Sequence, residues 1–89
     1  MGLAQKIIVE SATETQLEEF IVGFCGEFKS HKDKDTWVIT EHDLQKMSFA
    51  MKVDGSSIFC HRSGAYFAVL GMFIECLSGS FPSINVSDA

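Results

Sequence analysis

The sequence predicts a small single-domain α+β fold, an antiparallel sheet with two helices packed on one face in the order β-α-β-β-β-α. Three observations carry this expectation. An apolar stripe at helical spacing runs from residue 17, a strictly alternating run occupies 46–53, and an almost wholly apolar stretch begins at 65. Eighty-nine residues make one domain rather than two. The compact unit is expected over 1–79, with 80–89 as a C-terminal tail. Apolar residues at 46% of the chain and charged residues at 21% place it among globular rather than disordered sequences.

"KIIVE" (6–10) is a short β-branched run and predicts a buried strand. Ser11 and Glu14 then have the S-x-x-E spacing of a capping box, so a helix should follow. Leu17, Phe20, Ile21, Phe24 and Phe28 form its apolar stripe. Glu14, Glu18, Glu19 and Glu27 lie off the stripe, and the early ones suit the positive end of the helix dipole. "KSHKDKD" (29–35) has no apolar residue and predicts a loop. "TWVITEH" (36–42) predicts a strand by its aromatic and β-branched content.

In "KMSFAMKV" (46–53), Met47, Phe49, Met51 and Val53 alternate with Lys46, Ser48, Ala50 and Lys52, the pattern of a half-buried antiparallel strand. Asp54-Gly55 signals a hairpin, and "SIFCHRS" returns. An even-length connection puts Ile58 and Cys60 on the face of Met51 and Val53, leaving Phe59 and His61 outside; a bulged, odd-length loop reverses this. Residues 65–78 predict a second helix, capped by Ser63 and ended by Gly79. The competing reading is a hairpin turning at Gly71-Met72. In the tail, Pro82 breaks regular structure, with "INV" pairing at a sheet edge.

Composition narrows function mainly by exclusion. Seven Lys and Arg against twelve Asp and Glu give a net charge of -5, which argues against direct nucleic-acid binding and suits a basic protein partner. The predicted α-β-β-β-α portion has the element order of double-stranded-RNA-binding domains, whose last helix opens on a basic cluster. Here that place reads "SGAYFAV", without a lysine, and no family membership follows. The opening decapeptide has no signal-peptide pattern, and Gly2 lacks a myristoylation context because Lys6 stands where Ser or Thr is needed. "GAYFAVLGMFI" is shorter than the roughly 18 residues that span a bilayer, so no membrane partner is expected. Three cysteines (25, 60, 76) without paired spacing fit a reducing, cytoplasmic setting.

Catalytic grammar is sparse. Cys60-His61-Arg62 is the one reactive-looking triplet, yet neighbours in a strand point to opposite faces, which keeps His61 from the Cys60 sulfur. His31, His42, His61 and the cysteines lack zinc-site spacing, and no phosphate-binding or nucleophile-elbow motif occurs. The expectation is therefore a non-enzymatic protein-interaction module without cofactor: a small subunit, adaptor or inhibitor of the kind phages and mobile elements encode. An acidic nucleic-acid mimic directed at a nuclease or defence complex is the alternative, and a cysteine enzyme around Cys60 the weaker one.

Two surfaces are candidates for partner binding. One is the acidic face bearing Glu14, Glu18 and Glu19. The other is the arc Ala68, Gly71, Glu75 and Ser78 of the second helix, whose remaining residues are apolar nearly all round. Its small residues would allow close helix approach in a homodimer. If the stripe is correctly assigned, Phe24→Ala should cost on the order of 3 to 5 kcal/mol in chemical denaturation. Glu18→Ala should cost less than about 0.5 kcal/mol; the opposite ranking would place the stripe on the wrong face.

Overall fold

Short hairpins lay out most of the sheet. In the computed structural model, which describes residues 3–88 and so leaves Gly2 outside, the chain runs through eight elements. They are β1 (Leu3–Val9), α1 (Glu14–Cys25), β2 (Lys29–Asp33), β3 (Thr36–His42), β4 (Gln45–Asp54), β5 (Ser57–Gly64), α2 (Phe67–Ser80) and β6 (Ile84–Asp88). Strands β2 to β5 form a meander whose three connections are each two residues long, since Asp33 pairs with Thr36, His42 with Gln45 and Asp54 with Ser57. β1 adds antiparallel to β5 and β6 to β1, giving one open sheet in the order β2-β3-β4-β5-β1-β6. The α+β class with both helices on one face is as the sequence predicts.

Side-chain alternation decides which face is covered. Met47, Phe49 and Met51 of β4 are buried, and the register sets Met51 opposite Cys60 and Val53 opposite Ile58. The Gly55-Ser56 turn, with Gly55 at φ 61, thus produces the even-length register. Ile7 and Val9 of β1 continue the same buried face. Phe73 of α2 stands at the centre of this core. Its ring lies 5.6 Å from Phe49 below and 5.7 and 5.1 Å from Phe20 and Phe24 of α1, so one side chain joins both helices to the sheet. At the end of β5, Gly64 takes φ 73, and a Cβ there would lie 3.0 Å from the Lys46 carbonyl oxygen, so the position requires glycine.

Four local expectations change. Residues 29–33, expected within a loop, form β2; all five are exposed, so no burial pattern announces the strand. It is held by its hairpin to β3 and by the Lys32 ammonium, 4.6 Å from the centre of the buried Trp37 ring. Residues 84–88, expected in the tail, form β6, and the sheet edge suggested for "INV" is β1. The α1 cap is Thr13 with Gln16, not Ser11 with Glu14. The Thr13 hydroxyl accepts from the Gln16 N–H at 3.2 Å, and the Gln16 side chain accepts from the Thr13 N–H at 2.9 Å. Ser11 instead adopts φ 65 in the turn leaving β1. Helix α2 is displaced to 67–80, without a side-chain cap, and runs through Gly79 to Ser80.

The β3–β4 turn holds a stored cost. Asp43 and Leu44 both take left-handed φ values, 52 and 64, and Leu44 is 91% exposed, so nothing repays its strain by burial. Leu44→Gly should therefore raise stability by about 1 kcal/mol in denaturant titration, because glycine adopts that conformation without a Cβ penalty. A loss of stability instead would mean that Leu44 contributes contacts in the folded state.

Candidate functional site

The two helices do not close on each other along their length. They touch through the rings of Phe20, Phe24 and Phe73, and beside that contact lies a groove of about 740 Å³. Its apolar wall comes from Phe20, Phe24 and Phe28, spaced four residues apart along one side of α1 and just beyond it, and from Met72 of α2. Phe24–Phe28 ring centres lie 5.1 Å apart, and Phe28 meets the His42 ring at 5.5 Å, which closes one end of the row. Phe20 and Phe28 are only half-buried, so part of the expected core stripe is groove lining instead. Gly23 leaves the α1 side open, as a Cβ there would meet nothing within 4 Å.

Carboxylates ring this apolar surface. Glu19 and Glu27 come from the α1 side and Glu75 from α2, with the exposed Cys76 beside it. Neither helix contains a Lys or Arg; all seven of those residues lie on strands or in a hairpin turn. The groove is therefore apolar at its base and uniformly acidic at its rim.

Of the seven residues singled out from sequence, Ser78 is exposed on α2, and the other six separate into different places. Glu19 and Glu75 meet at the groove, although they are distant in the chain. Glu18 turns to the other side of α1, toward Lys32 and Trp37, on a shallow surface that Glu19 also borders. Glu14 accepts a hydrogen bond from the Gly55 N–H at 3.1 Å, tying the start of α1 to the β4–β5 turn. Ala68 sits near Phe67 and the β3–β4 turn, and Gly71 is exposed with nothing within 4 Å of an added Cβ. The other groove residues, Phe20, Gly23, Phe24, Glu27, Phe28, Met72 and Cys76, were not selected from the sequence as site residues. Their shared site depends on how α1 and α2 lie together, for which the sequence holds no local signal.

The Cys60-His61-Arg62 triplet divides across the sheet. Cys60 is fully buried among core residues and His61 is exposed on the opposite face. Burial pushes the Cys60 thiol up to about 12, and the nearby Arg62 charge only partly opposes it. Burial likewise raises Cys25 to about 11. Arg62 itself is buried, its guanidinium carbon 4.8 Å from the Tyr66 ring centre, and its Nε has no hydrogen-bond partner among the described residues. Among those residues no group of three or more His, Cys, Asp or Glu is placed to hold a metal, and no helix is long and apolar enough to cross a membrane.

Comparison with models of known protein families, with curated protein sequences and with solved structures finds no match to this chain.

Thiol chemistry tests the burial argument. In native buffer near neutral pH, an aromatic disulfide reagent should titrate Cys76 alone, with Cys25 and Cys60 reacting only on unfolding. Since the folded pKa of Cys60 is raised from 9.0 to about 12, its contribution to stability is complete below 9.0 and is lost as pH rises toward 12. A thiol at Cys60 that reacts before unfolding would restore the cysteine-enzyme reading.

Proposed function

We propose that this protein is a non-enzymatic interaction module that docks a basic amphipathic helix of a partner protein in the groove between α1 and α2. The observation that supports this reading is the pairing of an apolar base with an acidic rim at one place. The row Phe20, Phe24, Phe28 with Met72 offers contacts for apolar side chains one turn apart, and Glu19, Glu27 and Glu75 stand where cations flanking such a stripe would reach. Methionine and phenylalanine adapt to varied apolar side chains, as groove-type binders require. A second copy of this chain cannot supply the occupant, because neither of its helices carries a cation. The apolar base also separates this reading from nucleic-acid mimicry, in which carboxylates alone would meet a basic groove.

The test uses two labelled peptides of about 15 residues with the same leucines one helical turn apart, one with lysines beside them and the other with glutamates. The lysine peptide should bind in fluorescence anisotropy and weaken as salt rises, since charges at a partly exposed rim are screened. Gly23→Leu should abolish binding while the far-UV spectrum is kept, because the added side chain projects into open space. Glu19→Lys with Glu75→Lys should slow association more than it speeds dissociation. Equal binding of both peptides, or binding indifferent to salt and to Gly23→Leu, would overturn the proposal.

A further inference from the structure

We infer that the free edge of β6 is a self-association surface, on which a second copy of this chain adds its own β6 antiparallel and extends the sheet across a two-fold axis. The two edges of the sheet differ. At β2, Lys29 and Lys32 flank a strand whose register shifts between Lys29 and Ser30, features that discourage a further strand. β6 pairs with β1 over five consecutive positions without a shift and contains no Lys, Arg or Pro. No strand among the described residues covers its outer side.

Hydrogen bonding identifies the groups that are free. The Glu10 N–H donates to the Ser83 carbonyl at 3.2 Å, while the Val9 N–H turns away to Ser56 on the β5 side at 2.8 Å. In an antiparallel ladder this alternation continues, so Asn85 and Ser87 exchange bonds with β1, while Ile84, Val86 and Asp88 turn N–H and C=O outward. With the axis at Val86, Val86 bonds its own copy and the backbone of Ile84 pairs with position 88 of the copy.

The helix layer favours the same contact. Val86 lies opposite Ile7 on the helix-covered face, yet it is 40% exposed. Above that face, half-buried Leu70 and Ile74 lie on the flank of α2 opposite Met72 and Cys76, hence away from α1, which packs over β3 and β4. A two-fold axis through the β6 edge brings these apolar flanks together. A two-fold contact on the groove face is disfavoured, because it would set carboxylates on carboxylates. The groove lies on the other flank of α2, so the inference stands apart from the peptide-docking proposal.

Light scattering after size exclusion at tens of micromolar should give twice the chain mass. Val86→Pro removes an N–H that β1 does not use, and Val86→Lys sets two cations at the axis; each should halve the mass while keeping the wild-type far-UV spectrum. Amide exchange at Ile84 and Val86 should be slow in the wild type and fast in Val86→Lys. A monomeric wild type would overturn the inference. So would a dimer that persists in Val86→Lys, or one broken by Gly71→Leu alone, which would move the contact onto the exposed arc of α2.

Discussion

Two helices must cover one face of six strands, and their combined width does not reach. Six strands at about 4.8 Å spacing occupy about 29 Å, the outer strands' own width included. Two helices side by side, each about 10 to 12 Å across, cover about 20 to 24 Å. Strand edges must emerge from cover, and any opening between the helices must be filled by side chains. Phenylalanine does the filling: Phe73 meets Phe49, Phe20 and Phe24, and Phe20 also reaches Phe81 at 5.9 Å beyond the end of α2. Where this wedge stops, the row from Phe20 to Phe28 is left half-covered and becomes a groove. The β2 and β6 edges are the remaining consequence of the same shortfall.

Charge is sorted on this frame. Neither helix carries a cation, and the lysines occupy the strands and the β2–β3 turn, Lys32 among them on the helix side beside Glu18. The sorting follows from local requirements before any binding is considered. Glu14 in the first turn of α1 suits the helix dipole, while the outward positions of β4 alternate Lys46, Ser48, Ala50 and Lys52 against a buried face. Even so, the outcome is a molecule with net charge -5 whose helix face is far more acidic than its average. A net charge alone could not have located that field.

Much of the fold was legible because burial leaves a period in the sequence. Strand alternation made the separation of Cys60 from His61 legible, while the choice of which one is buried rested on the length of the Asp54-Gly55 turn, which proves even. β2 left no such trace, since a strand exposed at every position needs no apolar residue; it forms because its hairpin partner β3 is anchored by Trp37 and Ile39. The α1 cap was ambiguous for a different reason. Ser11-x-x-Glu14 and Thr13-x-x-Gln16 overlap, and the exit turn from β1 takes Ser11 into the left-handed region, leaving Thr13 to cap. The groove was half legible. Glu19 and Glu75 stood out as charges, but their convergence is a property of helix packing over dozens of intervening residues.

Helix α2 shows why a helix without clear periodicity carries information. Val69, Phe73 and Leu77 face the sheet and are fully buried, which accounts for one apolar stripe. Met72 and Cys76 turn to the α1 side, and Leu70 and Ile74 turn the opposite way. A helix with one neighbour needs only the first stripe; the other two remain partly exposed, although burying them would be favourable. The two flanks are separated by about 200° around the axis, from 100° per residue, so cover on one does not obstruct the other. The proposed partner docking beside α1 and the proposed strand addition beyond β6 would then be independent uses of one helix. The sequence pattern that blurs the helix assignment at 65–78 is the same pattern that gives α2 more than one surface to bury.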